Sequence, residues 1–420
     1  MAATRLAARE TRAAAPMRER GAGWWRRAYL LDLGLLALAL VATAALTNVY
    51  WQDVAHDIGV YQRYALAFWT GRPRFVALPQ EYPPAALLPF SLTLLFPASA
   101  VVAVELAIGL LVLTGYLGFL RCSTRRHAIL YACYLLLGAQ GFLLGRYDLF
   151  PALLTLAALW LAQRRRFAAG YGALALATLL KLYPAVLLPL LVLEQRRHAT
   201  LRQVAKTLAA FAIPVLLGVA LPVLRNPAGG LSALAVAGQR PLQVESVPAT
   251  LLWLAHLLGF PARSAFSYGA DGLVGPLARA LAALSLPLLA GGCLLVYWRF
   301  ARGRLPLGRA LLACVCVVLV TAKVFSAQYL IWALPLAAED GDYVPAWLLI
   351  CLLTFLDYPL LYPFNQPGYT PASVSVFALL MLARNGLLLW LTLRLLRSRG
   401  RLLSARDVRA LPVHSAVAGG

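Results

Sequence analysis

Long apolar runs dominate this chain and fix its class. Residues 29–47, 98–120, 203–224, 276–298 and 372–396 approach or exceed the roughly 20 residues that a helix needs to cross a bilayer. Shorter runs lie between them at 128–145, 149–163, 309–322, 329–338 and 344–357. Within hydrocarbon the backbone must satisfy its own hydrogen bonds, so such runs are helices. Charged residues make up 13% of the chain, about half the share in a soluble domain. No polar stretch is long enough to fold alone. The prediction is an all-α integral membrane protein, one multi-pass helical bundle of roughly twelve transmembrane helices. No sequence repeat that would signal a solenoid is present.

Charge then gives the bundle a direction. The formal charge is +22, which in a soluble protein would suggest nucleic acid. Here the arginines stand in short loops, at Arg121, Arg125, Arg126, Arg164 to Arg166, Arg196, Arg197, Arg299, Arg302 and Arg304. That is the positive-inside pattern plus attraction to anionic membrane lipids, and no nucleic-acid partner is expected. Residues 1–27 are read as a disordered basic cytoplasmic tail, 28–397 as the membrane domain and 398–420 as a second cytoplasmic tail. Both termini are then inside, and segments 48–82 and 226–275 outside. The short apolar run 83–96 is read as a re-entrant or surface helix. Residues 167–195 form a hairpin with Lys181-Leu-Tyr-Pro184 near its apex. Of 38 basic residues only Lys181, Lys206 and Lys323 are lysines; with the abundant Ala and Leu, this suggests a GC-rich bacterial genome.

The first external segment is where chemistry is expected. Asn48 to Pro84 holds Asp53, Asp57 and Glu81, five Tyr or Trp residues before Arg72, and a closing Tyr82-Pro83-Pro84. Asp53, Asp57, Tyr61 and Tyr64 recur at helical spacing, so a surface helix could carry them on one face. Asp148, Glu245 and Asp357 map to the same side, with Arg146, Lys181, Arg240, Lys323 and Gln328. Acids and cations at one membrane face suit a substrate with a phosphate and several hydroxyls. The cations would hold the phosphate, and a carboxylate would take a proton from an attacking hydroxyl. A departing phosphate needs little acid help, so one carboxylate suffices where hydrolases use two.

Asp57 is the preferred base and Asp53, one turn earlier, its rival; a helix cap or surface charge is the plain alternative. Arg146, Lys181 and Lys323 are the candidate phosphate clamps. Each lysine sits where an apolar helix meets a proline or polar break, and the alternative is snorkelling to the interface. Arg146 beside Asp148 could equally be a weak surface ion pair. Glu105, His256 and Arg384 fall inside apolar stretches. Glu105 and Arg384 could pair with each other, and His256 reads as a core histidine. Five of the six cysteines lie in apolar runs, and none shows zinc-site or disulfide spacing. Cys314-Val-Cys316 is read as helix packing, and no metal is expected.

Four motifs in sequence carry a resemblance. They are Asp57-Ile-Gly-Val-Tyr61 with Gly71-Arg-Pro73 and Glu81-Tyr-Pro-Pro84; Arg146-Tyr-Asp148-Leu-Phe-Pro151; Ala169 to Leu176 running into Lys181-Leu-Tyr-Pro184; and Gln239 to Ser246 with Lys323 to Tyr329. Together they cover residues 50–335 and resemble glycosyltransferase family 87, membrane mannosyltransferases of the GT-C superfamily, and more distantly the GPI-anchor mannosyltransferases. The resemblance implies a GT-C-type bundle with a catalytic first external loop. It implies a polyprenyl-phosphate sugar donor, usually mannose, and a lipid-linked glycan acceptor, used on the outer face of the plasma membrane. Transfer would be inverting, without nucleotide, cofactor or obligatory metal. It puts the catalytic acid on Asp57, and candidate substrate contacts on Glu81, Tyr82, Asp148, Tyr183, Arg240, Glu245, Gln328 and Tyr329. His56-Asp57-Ile58 has no second acid beside Asp57, so an acidic metal-binding pair is not supported. The rival reading is a multi-pass lipid or solute transporter or flippase. It would predict paired broken helices, and it gives no use to the long aromatic-acidic loop. A third reading is a non-catalytic assembly subunit.

Overall fold

A computed structural model describes residues 22–50, 52–71, 75, 77–364 and 370–397. Helix α1 (Ala22–Tyr50) begins ahead of the expected boundary at 27, and the remainder of both expected tails lies outside the described residues. Next come α2 (Gln52–Thr70), a short α and 3₁₀ run α3 (Pro84–Leu94), α4 (Ala100–Cys122) and α5 (Arg125–Gly138). Then α6 (Leu149–Gln163) and α7 (Phe167–Leu180) pack tightly against each other, followed by α8 (Leu188–Arg196), α9 (Leu201–Arg225) and α10 (Pro227–Gln239). Strand β1 (Leu242–Gln243), α11 (Thr250–Leu257), β2 (Ser264–Ser267) and β3 (Ala270–Leu273) make a small lobe. The chain ends with α12 (Pro276–Ala301), α13 (Leu307–Thr321), α14 (Leu334–Asp340), α15 (Val344–Phe355) and α16 (Pro371–Arg397).

Local chemistry sets these bounds. α2 is the helix anticipated from the spacing of Asp57, Tyr61 and Tyr64. α7 stops because Lys181 turns extended (φ −152°, ψ 139°), and Pro184 cannot continue a helix through that point. α9 starts on a capping box in which the Thr200 hydroxyl and the Gln203 side chain satisfy each other's backbone N–H, so two orphan donors are paired at once.

Among the described residues six helices reach spanning length and apolarity: α1, α4, α9, α12, α15 with its extension to Leu361, and α16. Several other expected crossings are shorter apolar helices, α6, α7 and α13 among them. α13 is buried along nearly its whole length and forms the axis of the core. α9 and α12 stand at the periphery, with Leu216, Leu224, Leu286 and Leu294 exposed, as suits helices facing lipid. Cys314 and Cys316 are fully buried packing residues. His256 is only half-buried, its ring nitrogen 3.2 Å from the carbonyl of Phe260.

The lobe between α10 and α12 holds the strands, which the sequence reading of 226–275 as a loop did not contain. The sheet is antiparallel in the order β1-β3-β2. Strands of two to four residues are too short to leave an alternation signal, and they are held by pairing with β3. Tyr268 and Gly269 join β2 to β3 with φ of 52° and 70°. Both angles are positive, as a two-residue type I′ turn requires.

One buried ion pair corrects an expectation. Arg384 pairs with Asp357, both fully buried, and not with Glu105. Arg384 also donates to the Glu245 carbonyl at 2.6 Å, while Asn385 donates to the carbonyls of Glu245 and Ser246 and to the Thr250 hydroxyl. The pair thus fastens the β1–α11 connection onto α15 and α16.

The basic loops meet at one end. Arg125 pairs with Asp32 and Arg309 with Asp340; Arg126 donates to the Gly341 carbonyl, and Arg197 to that of Phe300. α6 and α7 run from that end, at Arg164 to Arg166, to Asp148 and Lys181 at the opposite one.

Candidate active site

At that opposite end lies a cavity of about 580 Å³. Of the expected site residues, Asp57, Glu81, Tyr82, Arg146, Lys181, Arg240, Glu245, Gln328 and Tyr329 line it, drawn from widely separated parts of the chain. Asp148, Tyr183 and Lys323 stand outside its wall.

The floor is aromatic. Tyr61, one turn after Asp57 on α2, stacks on Phe90 with centroids 4.1 Å apart. Tyr82 and Tyr147 meet both rings edge-on. This geometry matches the ring quadrupoles. It explains why the loop is rich in tyrosine and why Tyr82-Pro83-Pro84 leads directly into α3. Tyr64, a further turn along α2, accepts from the Gln80 N–H at 3.4 Å, so the segment carrying Glu81 is held against α2.

On this floor Arg146 forms an ion pair with Asp57. Asp148 instead takes Lys181 at 2.7 Å, and the Trp332 indole N–H donates to the same oxygen at 2.6 Å. The two charged residues of Arg146-Tyr147-Asp148 are therefore not each other's partners. Around Tyr147 the backbone is extended at Arg146, which sends the two side chains to different carboxylate and ammonium partners. Asp148 is 1% exposed. Lys181 does not snorkel. Its ammonium lies 4.9 to 5.4 Å from the ring centroids of Tyr147, Tyr329 and Trp332, within cation–π range. Tyr183, Trp332 and Tyr329 form a continuous stack with centroid spacings of 4.3 and 4.2 Å. Tyr183 thus supports the lysine cage from behind.

Glu81 projects toward the same charges. Burial raises its carboxyl above the usual carboxylate range, Arg240 and Arg146 oppose that rise, and Asp57 adds to it. Lys323 donates to the Gly238 carbonyl at 2.7 Å, and burial, with Arg240 nearby, lowers its pKa. Its own carbonyl accepts from Gln243 N–H at 2.9 Å. Lys323 therefore joins α10 to β1 beside the cavity. Glu245 is nearly buried and accepts from the Gln243 side chain (2.8 Å) and the Ala327 N–H (2.9 Å). Burial, then the neighbouring Asp357, push its carboxyl well up. Its bonds hold the 323–329 segment that presents Gln328 and Tyr329. For Asp53 no side-chain placement is described.

The wall also contains His56, Phe142, Gln243, Phe266, Asp271, Tyr358 and Tyr362, none of them a candidate from the sequence. His56 adjoins Asp57, so its proximity was available there. Gln243 falls within the Gln239 to Ser246 motif, whereas Phe142 between α5 and α6, Phe266 and Asp271 in the lobe, and Tyr358 and Tyr362 beyond α15 were marked by no motif. Among the described residues no group of three or more His, Cys, Asp or Glu is placed to hold a metal ion.

A sequence profile of glycosyltransferase family 87 matches residues 81–327, more than half of the chain. No curated protein and no solved structure matches.

Proposed function

The chain belongs to glycosyltransferase family 87 and is a membrane glycosyltransferase; from that premise we propose that it transfers a hexose, mannose by preference, from a polyprenyl-phosphate donor. The acceptor is a hydroxyl of a lipid-linked glycan at the outer face of a bacterial plasma membrane. The acceptor oxygen attacks the anomeric carbon, the bond from that carbon to the phosphate oxygen breaks with inversion, and polyprenyl phosphate leaves with the electron pair. The proton passes to the Asp57 carboxylate. Arg146 and Lys181 stabilise the charge that develops on the phosphate, the electrostatic contribution that is usually largest. Asp148 and the Tyr147–Tyr329–Trp332 cage are positioning groups for Lys181. Lys323 acts as a link between α10 and β1 and not as a clamp.

The observation that carries this reading is the Asp57–Arg146 ion pair in the wall of the cavity that Lys181 and Glu81 also line. An arriving phosphate competes for Arg146, because a guanidinium binds two phosphate oxygens as readily as a carboxylate. Arg146 then turns to the phosphate and leaves the carboxylate to the acceptor hydroxyl. The test is Asp57→Asn in membranes supplied with radiolabelled polyprenyl-phosphate mannose, followed by lipid extraction. Transfer is expected to fall about 10²- to 10⁴-fold, the usual range for a lost general base, with protein level and donor binding retained. Undiminished transfer would remove Asp57 from the mechanism.

A further inference from the structure

The β2–β3 hairpin forms one side of the cavity and takes no part in the chemistry assigned above. Phe266 and Asp271 are cross-strand partners in its register. Directly opposed residues of an antiparallel pair project from the same face, and both residues line the cavity. The Phe266 ring is 72% exposed, unlike the rings of the floor, which are consumed by packing on one another. Asp271 is 9% exposed; the Tyr362 hydroxyl donates to its Oδ2 at 2.9 Å and fixes its orientation. Burial raises its pKa, and that hydrogen bond opposes the rise. The turn at Tyr268-Gly269 is anchored: Arg240 donates to the Tyr268 carbonyl at 3.0 Å, and the Tyr268 hydroxyl to Gln239 at 2.9 Å. A Cβ at Gly269 would stand 3.9 Å from both Glu81 carboxylate oxygens, so the tip of the hairpin meets the reactive wall.

A free aromatic face beside a fixed carboxylate suits one ligand class. The C–H face of a pyranose ring lies on an aromatic ring, and its equatorial or axial hydroxyls donate to the carboxylate. The phosphate side of the cavity carries Arg146 and Lys181, whereas this pair offers no cation and suits an uncharged saccharide. We propose that Phe266 and Asp271 form the subsite for the acceptor sugar, holding the residue whose hydroxyl is presented to Asp57. The hairpin then determines which glycan is extended. The assignment to the acceptor rests on the transfer reaction proposed above; the saccharide site itself can be tested without turnover.

The full chain in lipid nanodiscs is titrated with methyl α-mannoside, α-glucoside and α-galactoside, and binding is read by saturation transfer to the sugar ring protons. At least one glycoside is expected to bind. Phe266→Ala should weaken it about fivefold, the scale of one lost aromatic contact of ~1 kcal/mol. Phe266→Trp should restore binding, and Asp271→Asn should change the order of preference among the three sugars. In the transfer assay, Phe266→Ala should raise the acceptor KM and leave the donor KM unchanged. Equal binding by wild type and Phe266→Ala, or no saturation transfer from any of the three, overturns the subsite. Phe266-dependent binding in a protein that does not use polyprenyl-phosphate mannose would retain the saccharide site and overturn the donor reading alone.

Discussion

At the scale of single residues, the site is organised by exchanged partners. Arg146 and Asp148 are two positions apart, yet one is held by Asp57 and the other by Lys181. A buried aspartate facing a lysine is costly to unpair, because the remaining charge has no solvent to replace its partner. Lys181→Met is therefore expected to lower donor use about ten- to hundredfold, the worth of one or two hydrogen bonds to a charged group. Asp148→Asn should act on the same quantity through a misplaced ammonium, and Lys181→Arg should not rescue, since a planar fork cannot fill the cage of Tyr147, Tyr329 and Trp332. Donor KM and kcat measured separately decide this; a Lys181→Met variant with both kcat and donor KM unchanged would make the lysine structural. The sequence displayed Lys181 clearly, as a rare cation at the end of an apolar run. It did not display Trp332, whose indole completes the arrangement, because a tryptophan within an apolar run looks like any other packing residue.

At the scale of elements, the helices were legible and the lobe was not. An apolar run of spanning length has few alternatives to a helix, so α1, α4, α9, α12 and α16 follow from hydropathy alone. The break at Lys181 was marked by Pro184. The hairpin carrying Phe266 and Asp271 had no comparable mark: four-residue strands rest on partners supplied from residues 242–273, and only their pairing defines them. The same distance in sequence concealed the partner of Arg384. A buried arginine must have a counter-charge, but Glu105 and Asp357 were equally available on paper; only the packing of α15 on α16 chooses Asp357. Arg384→Met leaves that carboxylate buried without its cation and should destabilise the fold by about 3–5 kcal/mol, read as a lower unfolding midpoint of the purified protein. Adding Asp357→Leu should recover most of the loss, since apolar replacement of both partners of a buried pair is close to neutral. A double variant no more stable than Arg384→Met would mean that the pair does not act as a unit.

At the scale of the whole molecule, helix length positions the cavity. α6 and α7 have 15 and 14 residues, or about 21–23 Å at the helical rise, against about 30 Å of hydrocarbon. With Arg164 to Arg166 at one interface, Asp148 and Lys181 stop roughly 8 Å short of the other, below the level reached by the long peripheral helices. On the reaction proposed above, the charged groups on the floor would thereby be recessed to the depth at which the phosphate of a membrane-borne donor enters sideways, and the lobe above would face water and the acceptor glycan. Such a placement requires the basic loops to be cytoplasmic, as the positive-inside rule expects. On a background with Cys122 and Cys133 replaced by serine, Ala55→Cys on α2 and Ala265→Cys on β2 should react with a membrane-impermeant maleimide in intact cells. Arg165→Cys should react only after permeabilisation. The reverse pattern would place the cavity in the cytosol, where a donor presented at the outer leaflet never arrives, and the proposed reaction could not occur there.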